Sequence, residues 1–534
     1  MMTDMTNRKL SIREKIAYAL GDASANIAWR GICAFLMIYY TDVFGLAPAV
    51  VGTLMFVVRL SDGISDVAMG VVGDRTKSKN GKFRPWILWT AIPLAVILSL
   101  TFTCPTGLGM TGKIVYVYFT YILFTLIYTA NNIPYGALMA VMTPDDKERA
   151  SIGSFRMAGA FAGGMVVQGL LLFLVAYFGN INPAVTVEKS ANDPLVYVLS
   201  VTSPRDVEHV DLSTQNKLAK IVEVGSTNAP SVRLSLPMKG GEAYRFHVRG
   251  EEGLTAASFT LIDQSRGYSY AIYSLSVLLA LCLFVTFFGT RERVEPPANQ
   301  SANLWKDLLD LVRNRPWLVL LVVGLFFNVY NAIRQGVTVY YFTHYVHREL
   351  LVGGFFTALM VASILGALAT APLARRFGKR NVFISTLFLA GAINACFAFC
   401  EPSQLAAIFA IGFVGEAVAA VFPTLFFTML GDAADYSEYT NGRRATGLVY
   451  SAGSFASKFG GGLAGVMIGF VLSRYGYNGT DPSSIAGAIP GIKLLMGVVP
   501  SAVVAVTAFL MFFYPLSDRK LSEITLELSR RRGS

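Results

Sequence analysis

Two carboxylates stand four residues apart in RLSDGISDVAMG, a stretch that directly follows the apolar run VVGTLMFVV. On a helix this spacing places Asp62 and Asp66 on one face, one above the other. Carboxylates this close repel each other, and burial disfavours their charged form, so a bound Na⁺ or a proton would relieve the repulsion. The pattern predicts a cation site. The structural alternative is a salt bridge from either acid to a nearby arginine such as Arg59.

Oxygen ligands for such a cation are present further along the chain, in YTANNIPYGAL. This stretch offers the hydroxyl of Thr129, the side chain of Asn132 and the carbonyl of Ala130, which Pro134 deprives of its helical donor. Hard cations prefer oxygen ligands. The candidate cation ligands are therefore Asp62, Asp66, Thr129 and Asn132.

Further polar and charged side chains interrupt other apolar segments. A charged side chain at membrane depth costs roughly 2.5–3.5 kcal/mol on insertion scales, so one that remains there usually faces a partner or an aqueous cavity. Arg156 and Lys458 lie among small residues that permit close helix approach, and both can bind a polar or anionic ligand. The alternative for each is a structural ion pair. The candidate substrate ligands are Asn26, Arg30, Asn132, Tyr135, Arg156, Arg334 and Lys458.

Several acids stand close to two arginines in GDAADYSEYTNGRR, which follows an apolar segment. Charges at the end of an apolar segment can form salt bridges at an interface that opens and closes. The candidate gating salt bridges involve Asp432, Asp435, Glu438, Arg443 and Arg444.

The composition around these residues is that of a membrane protein. Of the 534 residues, 54% are hydrophobic and 15% are charged, and the mean hydropathy is +0.51. A membrane-crossing helix needs about 20 largely apolar residues. Twelve segments of this kind, six in each half of the chain, are predicted at about 16–40, 47–72, 85–104, 114–141, 152–178, 268–289, 317–345, 352–373, 381–400, 403–431, 446–474 and 488–514.

The net charge of +11 is distributed as a topology signal. Basic residues collect in every second short connection, such as GDRTKSKNGKFRPW and ARRFGKR, whereas CPTGLGMTGK and EPSQ carry few. By the positive-inside rule, both termini are cytoplasmic. We therefore expect contact with membrane lipids and no nucleic-acid partner. The five cysteines have no zinc-type spacing, so we expect no structural metal.

The segment 180–267 differs in composition from the rest. Short alternating stretches such as PLVYVLSVTS and EAYRFHVRG, bounded by turn formers, predict a small β-rich insert. It would be extracytoplasmic because five apolar segments precede it; the alternative is a disordered loop. The predicted organisation is 1–179 for helices 1–5, 180–267 for the insert, 268–290 for helix 6, 291–316 for a cytoplasmic linker with a short interfacial helix, and 317–534 for the C-terminal six-helix half with a cytoplasmic tail.

Ordered motifs along the membrane segments carry a family resemblance: IYYTDVFGL, RLSDGISDVAMG with GKFRPW, NNIPYGAL, DYSEYTNGRRATGLVYS and FYPLSDRKLSEI. In these the chain resembles the glycoside–pentoside–hexuronide:cation symporters. They are the branch of the major facilitator superfamily that includes melibiose permease and the bacterial glucuronide carrier. The resemblance implies an all-α polytopic membrane fold with twelve transmembrane helices in two six-helix halves. The insert at 180–267 lies outside the family pattern.

The resemblance also implies symport of a sugar or glycoside with Na⁺ or H⁺. The family's paired helix II acids fall on Asp62 and Asp66, its helix IV hydroxyl on Thr129, its helix I sugar-binding carboxylate on Asn26, its helix V arginine on Arg156 and its helix XI lysine on Lys458. Asn26 and Asn132 stand where melibiose permease has acids. With fewer acids beside Arg156 and Lys458, we expect an acidic sugar to be favoured.

We therefore expect a cation-coupled importer of a sugar, glycoside or uronide that works by alternating access as a monomer in the plasma (inner) membrane. Two alternatives are a symporter of lysolipid or another amphiphile, and a glycan-sensing receptor with little transport. An enzyme is not expected, because no nucleophile–base pair stands out, and no cofactor is expected. The insert is a candidate contact for a periplasmic oligosaccharide or protein, or else a passive decoration.

Overall fold

The structure is a computed structural model that describes residues 10–105, 107–143, 145–190, 193, 195–214, 220–221, 233–249, 255, 259–293, 313–441 and 446–533. Most of these residues form long helices, and a group of strands lies between the fifth and the sixth helix. The interfacial helix predicted in the linker 291–316 lies outside the described residues.

Six helices come from the N-terminal part of the chain. Pro48 and Pro85 stand in the first turns of two of them, where a proline is tolerated because its missing N–H has no helical partner. The helices are α1 Ile12–Gly31, α2 Pro48–Arg75, α3 Arg84–Thr101, α4 Met110–Met142, α5 Asp146–Gly179 and α6 Gln264–Gly289. Beyond α1 the chain continues through two π-helical turns, Ile32–Leu36 and Tyr39–Val43.

The C-terminal part contributes the remaining helices. They are α7 Arg315–Tyr340, α8 Leu351–Phe377, α9 Lys379–Ala395, α10 Leu405–Ala419, α11 Val421–Asn441, α12 Thr446–Arg474, α13 Pro482–Met496, α14 Val498–Leu510 and α15 Asp518–Gly533. A π-helical turn, Tyr341–Tyr345, follows α7.

The tenth and the twelfth predicted segments each fold as two consecutive helices. Pro423 and Pro500 lie in the first turns of α11 and α14, and neither has an N–H with which to continue the preceding helix. At the second break the amide of Asn394 donates to the carbonyl oxygens of Met496 and Gly497, both at 3.0 Å. The contact with Met496 replaces the N–H that Pro500 lacks, whereas Gly497 also accepts from the backbone N–H of Ser501 at 3.4 Å.

The described residues between α5 and α6 form seven strands: β1 Ala184–Lys189, β2 Val196–Thr202, β3 Val207–Thr214, β4 Lys220–Ile221, β5 Arg233–Met238, β6 Ala243–Arg249 and β7 Phe259–Asp263. They pair antiparallel in one sheet of order β1-β2-β6-β4 and another of order β5-β3-β7. Leu199, Val201, Phe246 and Val248 are fully or almost fully buried between them. The end of the helical bundle where α5 stops and α6 starts is called here the strand-bearing end.

Among the described residues, nine helical stretches are long and apolar enough to cross a membrane. They do not include α1, α2 and α12, the helices that carry Arg30, Asp66 and Lys458. Candidate functional residues therefore lie both on these three helices and on helices within the nine apolar stretches, such as α4 and α7.

The N-terminal and C-terminal helices approach closely near the strand-bearing end, where α2 contacts α12 and α5 contacts α8. A Cβ on Gly52 would lie 2.6 Å from the carbonyl oxygen of Gly465, and one on Gly353 would overlap the carbonyl oxygen of Gly169. Small residues thus let the backbones of the two halves meet, as is common between membrane helices.

The carboxylate of Glu292, just after α6, caps the start of α3. It accepts hydrogen bonds from the backbone N–H groups of Lys82, Phe83 and Arg84, at 2.9, 2.8 and 2.9 Å. The first N–H groups of a helix have no partner within the helix, and the helix N-terminus carries a positive partial charge. The cap therefore ties the end of α6 to the connection between α2 and α3.

We expect Glu292→Ala to lower the free energy of unfolding by about 1–3 kcal/mol, because three backbone N–H groups lose their acceptor. Glu292→Gln keeps an acceptor oxygen and should cost less. Thermal unfolding of the purified protein in detergent measures both. Glu401→Ala, which removes an exposed acid between α9 and α10, is the matched control. Equal melting temperatures for the two alanine variants would contradict the cap.

Candidate functional site

Asp66 on α2 is bound from both halves of the molecule. The ammonium of Lys458, on α12, lies 2.6 Å from Oδ1 and 2.5 Å from Oδ2 of the carboxylate. The hydroxyl of Thr129, on α4, donates to Oδ1 at 3.1 Å. Both charged side chains are largely shielded from solvent, with exposures of 13% for Lys458 and 20% for Asp66. The predicted cation ligands Asp66 and Thr129 therefore meet, and Lys458 joins them as a counter-charge.

Asp62 takes a different partner. Its Oδ2 lies 3.1 Å from Nη1 of Arg59, one turn earlier on α2, and both side chains are buried. The guanidinium of Arg59 also lies over the ring of Trp29, 4.1 Å from the ring centroid. The structure thus has the salt bridge that was the structural alternative for Asp62, and Asp66 is the carboxylate of the pair that binds Thr129.

A second carboxylate, on α1, binds Arg156. Oδ1 of Asp22 lies 3.2 Å from Nε of Arg156, on α5. Asp22 was not among the predicted site residues, although it stands one helical turn before Asn26 and therefore on the same face. The expectation of fewer acids beside Arg156 rested on Asn26 and did not take account of Asp22, which supplies an acid from α1. Lys458 is also paired, with Asp66. Arg156 and Lys458 therefore do not supply the unpaired positive charge on which the preference for an acidic sugar was based.

Asn26 and Arg30 continue this polar face of α1. The amide of Asn26 donates to the carbonyl of Asp22 at 2.9 Å, and its oxygen accepts from Nε of Arg30 at 3.2 Å. Nη1 of Arg30 donates to Oε1 of Gln168, on α5, at 3.5 Å. The hydrogen-bond partners of the Arg30 guanidinium are thus neutral amide oxygens.

Arg334, on α7, is held by an acid in the C-terminal half. Its Nη1 lies 2.8 Å from Oε2 of Glu416, on α10, and donates to the hydroxyl of Tyr330 at 3.2 Å. The hydroxyl of Ser363, on α8, donates to the other oxygen of Glu416 at 2.7 Å. Glu416 was not predicted, although it stands in the apolar stretch FVGEAVAA, where the cost of a charge could have identified it.

Tyr135 joins α1 to α4. Its hydroxyl donates to the carbonyl of Tyr18 at 2.8 Å, the hydroxyl of Tyr18 donates to the carbonyl of Tyr135 at 3.2 Å, and the rings stack with centroids 4.6 Å apart. The guanidinium of Arg156 lies 5.5 Å from the ring centroid of Tyr135. Asn132, three residues earlier, is half-buried on α4. In this conformation Tyr135 fixes helices rather than presenting its hydroxyl to a ligand.

A cavity of about 310 Å³ lies between the two halves. Its polar lining comes from α1, α2 and α7, namely Asn26, Arg30, Arg59, Asn328, Asn331 and Gln335. Trp29 adds an aromatic face, and the small residues Gly461, Ala464 and Gly465 of α12 complete the wall. A smaller cavity of about 40 Å³ shares Arg30 with the first and is also lined by Arg334 and Glu416.

The cavities separate the predicted substrate ligands into two groups. Asn26, Arg30 and Arg334 line them, whereas Asn132, Tyr135, Arg156 and Lys458 are not among the described lining residues. The amides of α7 were missed by the sequence reasoning. Their spacing of three and four residues, which puts Asn328, Asn331 and Gln335 on one face of a helix, was the available signal.

The predicted gating acids lie on α11. Asp432 forms an ion pair with Lys379, at the start of α9, at 2.8 Å. Both residues belong to the C-terminal half, so this pair does not connect the two halves. Asp435 and Glu438 lie further along α11, and their predicted partners Arg443 and Arg444 lie outside the described residues. A gating role for these five residues stays a prediction.

Comparisons with known proteins fit this architecture. The family model described as MFS/sugar transport protein matches residues 17–518. The chain is 28% identical to the putative glycoside/cation symporter YagG of Escherichia coli K12 over 527 residues, covering 98% of this chain and 96% of that protein. It is 29% identical to the inner membrane symporter YicJ, with the same coverage, and 28% identical to the glucuronide carrier protein homolog, covering 98% and 97% of the two chains, both from the same organism.

Solved structures with little sequence identity share the fold. A bacterial homolog of the human lysosomal transporter Spinster, in an inward-facing and unoccupied conformation, aligns with a TM-score of 0.61 at 12% identity, covering 96% of this chain and 98% of that one. The D-xylose-proton symporter aligns with a TM-score of 0.57 at 11% identity, covering 94% and 98%. The helices therefore have the major facilitator fold.

The ion pair between Asp66 and Lys458 can be tested by a double-mutant cycle. We expect Asp66→Asn and Lys458→Gln each to lower the free energy of unfolding by about 3 kcal/mol, because each leaves the other charge unpaired in a poorly solvated place. The double variant should lose clearly less than the sum of the two. Unfolding of the four proteins in the same detergent measures the coupling. Strictly additive losses would show that the two side chains do not interact.

Proposed function

Because this chain belongs to the family of MFS/sugar transport proteins, and is therefore a membrane transporter and not an enzyme, we propose that it couples the import of a sugar, glycoside or uronide to Na⁺ or H⁺. The relatives support this proposal by their names, which describe a putative glycoside/cation symporter and a glucuronide carrier homolog. The two halves would expose the cavity between them to one side of the membrane at a time.

The observation that carries the proposal is the position of Asp66 between the halves. Its carboxylate and the Thr129 hydroxyl supply oxygen atoms of the kind that bind a hard cation, and both belong to the N-terminal half. Lys458 contacts the same carboxylate from the C-terminal half. A Na⁺ ion at Asp66, or a proton on it, would weaken the attraction to Lys458. Cation binding would thereby change a contact between the halves, which is what coupling requires.

The substrate would bind in the cavity between the halves. Its volume of about 310 Å³ lies at the lower end of the range for small-molecule pockets, roughly 300–1,000 Å³. The amides of Asn328, Asn331 and Gln335 can donate to and accept from sugar hydroxyls, and Trp29 offers an apolar face. Both halves contribute to the lining, so a bound sugar would contact both.

An acidic group on the sugar would meet Arg30. Among the described cavity-lining arginines, Arg59 is paired with Asp62 and Arg334 with Glu416, whereas the hydrogen bonds of Arg30 go to amide oxygens. A guanidinium fork matches a carboxylate in two parallel hydrogen bonds. The preference for a uronide therefore rests on Arg30 rather than on Arg156 and Lys458.

The membrane arrangement is part of the proposal. Twelve crossings result when α1, α2 and α12 are added to the nine apolar stretches found among the described residues. With the basic connections on the inside, both termini would lie in the cytoplasm, and the strands would lie outside as a separate module at 180–267 between helices 1–5 (1–179) and helix 6 (268–290). The linker 291–316 and the C-terminal half 317–534 follow. An inner-membrane location agrees with the name of the relative YicJ.

We expect Asp66→Asn to leave a folded protein that exchanges sugar across the membrane but does not concentrate it, because the cation site loses its charge. The sugar is first chosen from a panel of neutral sugars and uronides by thermal stabilisation with and without Na⁺. Proteoliposomes with an imposed Na⁺ or H⁺ gradient then measure uphill uptake and exchange. Glu401→Gln, an exposed site with the same loss of charge, is the matched control. Undiminished uphill uptake by Asp66→Asn would refute the assignment.

We expect Arg30→Gln to weaken binding of a uronide about tenfold or more while changing the affinity for its neutral counterpart much less. A hydrogen bond to a charged group contributes about 1.5–3 kcal/mol. Titration calorimetry with the two sugars measures the difference. Arg315→Gln, which removes an exposed arginine at the start of α7, controls for the change in net charge. If Arg30→Gln weakened the binding of both sugars equally, Arg30 would not recognise the acidic group. The proposal of sugar transport would still stand.

A further inference from the structure

The first helix of each half ends in the same unusual way. A π-helical turn, Tyr39–Val43, closes with the N–H of Phe44 bonded to the carbonyl of Tyr39 at 3.2 Å. The turn Tyr341–Tyr345 closes with the N–H of Val346 bonded to the carbonyl of Tyr341 at 2.9 Å. Tyr39 and Tyr341 are 302 positions apart in the sequence, and so are Phe44 and Val346, the same separation as between Asp42 and His344. The two helix ends are therefore equivalent positions of an internal repeat.

The equivalence continues in the backbone that follows. Gly45 has a φ of +72° and His347, its counterpart at the same separation, has a φ of +56°. A left-handed backbone is rare for a residue with a side chain, so its recurrence at the matching position indicates a shared turn rather than chance. The same separation relates Thr41 to Thr343 and Asp42 to His344.

The two equivalent residues Asp42 and His344 face each other across the boundary between the halves. Nε2 of His344 lies 2.8 Å from Oδ2 of Asp42, and the side chains are only 5% and 14% exposed, respectively. The hydroxyl of Tyr477, just after α12, donates to Oδ1 of Asp42 at 2.7 Å and lies 2.9 Å from Nε2 of His344. Thr41 also donates to Oδ1 of Asp42, at 2.7 Å.

The hydrogen bonds around Asp42 are those that a carboxylate anion can accept. Asp42 accepts from Thr41 and Tyr477, and it faces the imidazole nitrogen of His344, an arrangement that a carboxylate anion satisfies. A neutral imidazole can donate one N–H here, but an imidazolium donates the same N–H and also cancels the buried negative charge. Taking up one proton from water therefore turns this contact into an ion pair between the halves.

The titratable side chains in contact with the residues around the pair are lysines and tyrosines. Tyr340 on α7 is bonded to Thr41, Lys113 on α4 donates to the carbonyl of Phe44, Lys493 on α13 lies over the ring of Tyr345, and Tyr268 on α6 lies against Tyr39. The first turns of α2, in the apolar run from Pro48 to Val58, bring no titratable side chain. Of the four histidines in the sequence, two lie in the strands and His347 is exposed.

We propose that Asp42 and His344, supported by Tyr477, form a proton-binding site that latches the two halves together at the strand-bearing end. This proposal rests on alternating access as part of the proposed function, but not on the identity of the sugar or of the coupling ion. The site is distinct from Asp66, which meets Lys458 elsewhere between the halves. Protonation of His344 stabilises the closed end, and the stabilisation is lost as the pH rises and the imidazolium gives up its proton.

Pulsed electron resonance can measure closure directly. Spin labels at Ala47→Cys and Leu350→Cys, both exposed beside the two turns and one in each half, report the distance across the strand-bearing end. The full-length protein, with its five native cysteines replaced, is measured in lipid nanodiscs in potassium buffer without sugar. Between about pH 6 and about pH 8.5 we expect the short-distance population to fall relative to the long-distance population. A ratio of the two populations that does not change with pH would overturn the proposal.

Single substitutions test whether the pH dependence of the ratio comes from Asp42 and His344. His344→Gln keeps a donor but cannot take up a proton, so its ratio should not depend on pH, and Asp42→Asn should lose the dependence as well. Tyr477→Phe should lower the ratio at both pH values and keep the fold-change. His347→Asn, an exposed neighbour, should behave as the unmodified protein. A pH dependence that persists in both His344→Gln and Asp42→Asn would overturn the assignment.

The measurement is independent of the proposed function, because it needs neither sugar nor a cation gradient. A pH-dependent distance in a protein that fails to concentrate any sugar would support the latch and refute coupled import. Uphill sugar uptake together with a pH-independent distance would support coupled import and refute the latch.

Discussion

A carboxylate inside a membrane protein needs a counter-charge, because the surrounding hydrocarbon does not replace the water that the carboxylate loses. For Asp66 this counter-charge is Lys458, which comes from the other half of the molecule. One contact thus neutralises a buried acid and joins two groups of helices. A cation that takes over the neutralisation would free Lys458, and this exchange is the physical basis of the coupling that we propose.

The other ion pairs divide according to the helices they connect. Asp62 and Arg59 lie on one helix, Asp22 binds Arg156 within the N-terminal half, and Glu416 binds Arg334 within the C-terminal half. These pairs hold helices of one half in place. The contacts of Asp66 with Lys458 and of Asp42 with His344 cross the boundary instead. Ion pairs within a half are consistent with each half moving as a rigid body. The contacts between the halves must break when the halves move apart.

Much of the candidate site was predictable because a charge in an apolar segment is costly and therefore rarely accidental. This rule found Asp66, Arg30, Arg334 and Lys458 without any structure. It was applied incompletely: Asp22 stands in the same apolar segment as Asn26, and omitting it led to the wrong charge balance beside Arg156.

The pairing of Asp66 with Lys458 was beyond the sequence. Lys458 is 392 residues from Asp66, and no spacing rule links positions so far apart. The helix breaks before α11 and α14 depend on prolines that lie inside long apolar runs, where hydropathy alone shows one continuous segment. The equivalence of Asp42 and His344 also escaped, because the two motifs share a backbone shape more than a sequence.

The most direct test of the account is the affinity of the purified protein for its sugar at a series of Na⁺ concentrations and pH values, with and without Asp66→Asn. Cation and sugar that are coupled must raise each other's affinity by the same factor. The account predicts that the affinity of the unmodified protein rises with Na⁺ or with protons, and that this rise is absent in Asp66→Asn. An affinity that is independent of both cations in the unmodified protein would contradict cation-coupled transport through Asp66.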